Sequence, residues 1–150
     1  MNKELPEQPL TEEESDNLMS LILEMVNHEE YKAAQVEFHR TITKMQMKHG
    51  ELAQLTAMKA DFLDTEDPID RVRLYQRSIE LAQSPLDISV LVQSSGSIAE
   101  IYIEDLADHP QGLKWLGIYK DYINQYGNKY AIDDPSDLEA NLRRLKFYVV

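Results

Sequence analysis

No cysteine occurs in the 150 residues. This excludes disulfides and thiolate metal sites and makes a reducing cytoplasm the simplest setting. Glycine is scarce, with five residues, and none belongs to a Gly-x-Gly-x-x-Gly cradle, a Walker loop or a Gly-x-Ser-x-Gly elbow. The short signatures of nucleotide binding and of serine hydrolysis are therefore missing. A long uncharged apolar run is missing too. The most apolar stretch, residues 84–107, contains Asp87, Glu100, Glu104 and Asp105, which is wrong for a bilayer span. The opening residues MNKELPEQPLTEEE have no apolar core of a secretory leader, so no cleaved signal peptide is expected. Positive charge is short: 15 Lys and Arg stand against 27 Asp and Glu, a formal charge of −12. That balance argues against direct contact with nucleic acid or an anionic membrane, both of which require a basic footprint.

Acid is present in two blocks. Residues 1–30 hold nine acids and one base, and residues 78–110 hold six acids and no base. Segments 31–77 and 111–150 are each near neutral. Solubility alone accounts for such a balance in a small protein. The sharper reading is that the blocks lie side by side and face something basic.

Helical signals dominate the rest. After a flexible lead-in over residues 1–10, a helical domain over 11–150 opens on Thr11-Glu12-Glu13-Glu14, a capping box. Leu18, Leu21, Ile22, Met25 and Val26 follow as an amphipathic stripe. Asn27-His28-Glu29-Glu30 repeats the signature and starts a second stripe of Tyr31, Ala34, Phe38, Ile42 and Met45, which continues through Leu52, Leu55 and Phe62. Gly50 is the candidate break. Because an isolated glycine costs only about 1 kcal/mol in a helix interior, the spacing favours one helix to about Leu63 over two helices split there. Asp67-Pro68, Ser84-Pro85, His109-Pro110 and Asp134-Pro135 then set helix starts, predicting helices near 68–83, 85–107, 110–126 and 135–147, with Gly127-Asn128 closing the third of these.

Residues 84–107 admit two readings. As a helix, Ile88, Leu91, Ser95, Ile98, Tyr102 and Leu106 share one face while other faces are also apolar, as in a helix packed on several sides. The small patch Ser94-Ser95-Gly96-Ser97 then admits a close crossing by another helix. As a β-hairpin, ISVLVQ and IAEIYI are β-branched arms around a Ser/Gly turn. The helical flanks favour the helix. The expected fold is all-α: an antiparallel bundle or stacked helical hairpins of about six helices.

Chemistry-bearing constellations are few. Glu24/His28 and Asp105/His109 are four apart, not the Glu-x-x-His of carboxylate-bridged metal bundles, so no metal site and no cofactor is expected. The leading expectation is a small acidic binding protein that neutralises a basic protein partner, of the immunity-protein, antitoxin or anti-defence type, through Glu12, Glu13, Glu14, Asp16, Glu29, Glu30, Glu100, Glu104, Asp105 and Asp108. The alternative is a helical adaptor, chaperone or self-assembling protein using an aromatic face of Trp115, Tyr119, Tyr122, Tyr126 and Tyr130, since Trp and Tyr are enriched at binding hot spots. Core packing is the plainer role for those rings. A metal-dependent helical hydrolase is a third. Arg71, Arg73 and Arg77, with Arg143, Arg144 and Lys146, are read as internal balance for the acidic blocks.

Overall fold

The computed structural model describes residues 10–27, 31–63, 65–83, 87–127 and 144. Among them are six α-helices: α1 (Glu12–Val26), α2 (Tyr31–His49), α3 (Ala53–Asp61), α4 (Pro68–Leu81), α5 (Ile88–Glu100) and α6 (His109–Tyr122). A π-helical turn extends α5 over Ile101–Asp105, and another extends α6 over Ile123–Gly127. No strand occurs among the described residues, so the hairpin alternative for 84–107 gives way to the helix, and the protein is an all-α helical bundle.

Local chemistry places the helix ends. The Thr11 hydroxyl accepts from the Glu14 amide at 3.1 Å, and the Thr11 amide donates back to Glu14 Oε1 at 3.0 Å, so two orphan donors are satisfied reciprocally. At α4, the Asp67 carboxylate accepts from the Ile69 amide at 3.0 Å, with Pro68 opening the helix. At α6 the cap is Asp108, one residue before His109-Pro110, and its carboxylate accepts from the Gln111 amide.

One expectation is overturned. The stripe does not run through Gly50: α2 ends at His49, Gly50 takes φ 89°, and α3 begins at Ala53. A left-handed residue after the last helical one is how glycine ends helices. The propensity argument counted glycine's cost inside a helix and not its gain as a terminator. Of the expected helix near 135–147 only Arg144 is described, as helical, and of the expected cap Asn27–Glu30 only Asn27, which closes α1; the start at Ser84-Pro85 lies outside the described residues.

Helices pack chiefly on their neighbours in the chain, and two large apolar clusters result. In the first, Leu18, Leu21 and Met25 of α1 meet Ala34, Phe38, Ile42 and Met45 of α2 and Leu55 of α3. Phe62 closes it edge-on against Phe38, with ring centroids 5.0 Å apart. The Phe62 carbonyl, left over at the end of α3, accepts from Gln35 Nε2 at 2.6 Å and lies 2.8 Å from His39 Nε2. In the second, Val72 and Tyr75 of α4 meet Ile98 and Ala99 of α5, Ile101 and Ile103 of the π turn, and Trp115 and Leu116 of α6. Ala60 of α3 joins this second group.

The small-residue patch of α5 does admit a close crossing. A Cβ on Gly96 would stand 2.9 Å from the Tyr119 ring, and one on Gly112 would stand 2.5 Å from Ile103 Cγ1. On the other side of α5, buried Ser94 and Ser78 share a 2.9 Å hydroxyl contact, and Ser78 also donates to the Tyr75 carbonyl.

Candidate functional site

The first acidic block divides by role. Glu14 belongs to the fold. Its two oxygens each lie 2.9 Å from Nε2 of His49, a ring only 2% exposed at the end of α2. Lys48 Nζ is 3.8 Å away. The Thr11 amide, and after it the His49 hydrogen bond, hold the Glu14 carboxyl down to about 2. Glu12, Glu13 and Asp16 are different: all three are exposed, with no hydrogen bond or ion pair to any described residue. They occupy the first turns of a helix that contains no Lys, Arg or His. Glu29 and Glu30 lie outside the described residues.

The second block gathers at the π turn. Arg71, Ser97, Glu100, Ile101, Glu104 and Asp105 line a cavity of about 260 Å³. Arg144 pairs with both Glu100 and Glu104. Burial, helped by the charges of Glu104 and Asp105, raises the Glu100 pKa, while Arg144 pulls it back. Asp108 is occupied as the α6 cap, and Asp105 is exposed with no partner among the described residues.

The two blocks approach α4 at different points, and Arg77 pairs both with Glu51 and with Glu80 of the second block. Glu14 sits over His49, and two residues later Glu51 grips Arg77 near the end of α4 through contacts of 2.9 and 3.1 Å. Arg71, which lines the cavity of the second block, lies near the start of α4. Six residues of helix separate the two arginines, about 9 Å of rise. The expected balancing role of the arginines is visible at Arg77 and Arg144; Arg143 and Lys146 lie outside the described residues.

The aromatic face is mostly interior. Trp115 is 9% and Tyr119 2% exposed, both within the packing of α6 on α5. That leaves Tyr122 and Tyr126, half-buried and stacked with centroids 6.4 Å apart. Tyr130 lies outside the described residues.

A cleft of about 190 Å³ runs between α3 and α5, lined by Gln54, Met58, Asp61, Ser89, Gln93 and Ser97 with Tyr75 and Ser94 among its walls. Tyr75 donates to Asp61 at 2.6 Å and accepts from Arg71 at 3.3 Å. Burial, then the Asp61 charge, pushes the phenol up to about 12. Asp61 is exposed as a residue, yet the atoms packed around its carboxyl remove enough water to raise its pKa, against the pull of Tyr75 and Arg71. Arg71 also donates to the Ala60 carbonyl at 3.2 Å, so the trio ties α3 to α4. Among the described residues no three His, Asp or Glu side chains converge to hold a metal ion, and no helix is long and apolar enough to cross a membrane.

One feature of α1 escapes the amphipathic reading of the sequence. Val26, taken there as part of the buried stripe, is 56% exposed, and Met19 and Leu23 are 55% and 57% exposed. The signal was available, because seven of the fifteen residues of α1 are large and apolar, too many for one face. In comparison with known proteins, no family model, no curated protein and no solved structure matches the chain.

Proposed function

We propose that this is a small acidic binding protein of the cytoplasm, which neutralises or inhibits a protein partner through that partner's basic surface, as immunity proteins, antitoxins and anti-defence proteins do. It works by occupying a surface and not by catalysis. The observation that carries this reading is the set Glu12, Glu13 and Asp16, without a partner among the described residues, on a helix without a base. Fixed acids of this kind raise the encounter rate with a basic surface and make binding sensitive to salt. Glu14 and Asp108 contribute to the fold, and Glu100 and Glu104 are partly neutralised by Arg144, so the first block carries the function.

The test is a tagged pull-down from the native host, washed at low and at high salt, repeated with Glu12→Lys/Glu13→Lys/Asp16→Lys. The reading expects one basic protein retained at low salt, weakened at high salt and lost with the charge-reversed variant. A partner indifferent to salt and to charge reversal contradicts it.

A further inference from the structure

Exposed large apolar side chains are unevenly placed. Met19, Leu23, Val26, Tyr31, Val36 and Met47 all belong to α1 and α2, and among the described residues only Leu113 joins them from elsewhere. On α1 the three form a stripe at i, i+4 and i+7, on the side away from buried Leu18, Leu21 and Met25. The same ridge continues toward the N-terminus through Asp16 and Glu12, three and seven residues before Met19. Glu13 and Glu24 run along one flank. The outer face of α1 is thus an apolar ridge with carboxylates at one end and along one side, about 22 Å long at the helical rise. Contiguous exposed apolar surface rimmed by charge marks contact sites.

Resting on the acidic-binder reading above, we infer that the outer face of α1 docks a basic amphipathic helix of the partner, whose apolar stripe covers Met19, Leu23 and Val26 and whose Lys and Arg residues meet Glu12, Glu13, Asp16 and Glu24. Charge decides the occupant. A two-fold contact between copies sets the same patch against itself, and α1 has acids in its first turn and no base in its last. A second copy therefore sets acid against acid along α1, and an anionic membrane does the same. A basic helix supplies the missing sign, while its apolar stripe removes the ridge from water as in other helix-docking modes. The acids govern encounter, and the ridge governs how long the complex lasts.

The probe is a synthetic 18-residue Leu/Lys peptide designed as an amphipathic helix, compared with a scramble of equal composition and charge. Binding to the full chain is measured by fluorescence anisotropy at low and high salt. Two variants follow: Met19→Ser/Leu23→Ser/Val26→Ser, and Glu12→Gln/Glu13→Gln/Asp16→Asn. Circular dichroism verifies their fold, and Leu113→Ser serves as an exposed apolar control on α6. The expected result is binding of the amphipathic peptide at least about tenfold tighter than the scramble, a difference of about 1.4 kcal/mol. The ridge variant erases that preference and keeps a weak salt-sensitive attraction, the charge variant weakens both peptides, and Leu113→Ser changes neither. Equal, salt-sensitive binding of both peptides to wild type overturns the inference and leaves the acidic-binder reading standing. No binding of either peptide at low salt overturns both. A dimer in light scattering that the ridge variant abolishes assigns the face to a second copy and overturns the inference.

Discussion

The two halves of the molecule use apolar residues differently. In α4–α6 most are turned inward, Leu113 being exposed: Val72, Tyr75, Ile98, Ile101, Ile103, Trp115 and Leu116 are all buried, and Gly96 and Gly112 let backbone and side chain approach where a Cβ would collide. In α1–α3 a core of Leu, Met, Ile and Phe of comparable quality coexists with exposed Met19, Leu23, Val26, Val36 and Met47. The C-terminal half is shaped by close packing. Among the described residues the N-terminal half leaves apolar surface exposed, beside acids with no partner there. Folding explains most of the first arrangement and less of the second, so the N-terminal half is where binding is sought.

Substitutions that separate inward from outward residues sharpen this contrast. The largest effect is expected at Phe38, fully buried and edge-on to Phe62. Phe38→Ala lowers the unfolding free energy by about 3–5 kcal/mol in urea titration, whereas Leu23→Ala on the outer face changes it by no more than about 0.5 kcal/mol. A similar loss at both positions erases the distinction. In the C-terminal half, Gly96→Ala and Gly112→Ala each overpack the α5–α6 contact, and each costs about 1–3 kcal/mol. Gly117→Ala, with open space around it, serves as the tolerant control.

Two left-handed positions give smaller effects of opposite sign. Gly50 sits at φ 89° and Ala107 at φ 49°. Gly50→Ala loses about 1–2 kcal/mol. Ala107→Gly relieves a strained alanine but frees the unfolded chain, a net gain of under about 1 kcal/mol in thermal unfolding.

The smallest effect is a pH dependence. Because the Glu14 carboxyl is depressed to about 2 in the folded state from an ordinary 4.5, its stabilising contribution is present above pH 4.5. It is lost as pH falls from there toward 2. Acid unfolding of Glu14→Gln, compared with wild type, therefore shows a shallower fall over that window; parallel curves contradict the assignment.

The helix content was legible in the sequence because the signals were local. Thr11-Glu14 and Asp67-Pro68 act within one turn, and their side-chain bonds form as spacing requires. A close helix crossing at the Ser/Gly patch of α5 was legible because only small residues permit it; that α6 makes the crossing was not. Gly50 was misread because helix propensity and helix termination are competing uses of one residue, and at φ 89° termination prevails. The division of labour among the acids was legible only in part. Glu12, Glu13 and Glu14 are adjacent and identical in type; the capping box marks Glu14 as structural from spacing alone, and the histidine 35 residues away that also holds it was not visible. Trp115 and Tyr119 pose the reverse case, where residues suited to an interface are held inside by the packing of α5.

The central claim is that the outer face of α1 serves binding and not folding. The most direct measurement takes Met19→Ser/Leu23→Ser/Val26→Ser and determines, on the same sample, its unfolding free energy and its affinity for the Leu/Lys amphipathic peptide. The account predicts stability within about 1 kcal/mol of wild type for three exposed changes, with the preference for the amphipathic peptide over its scramble gone. Stability lost by several kcal/mol with peptide preference intact contradicts it, and returns the ridge to the core.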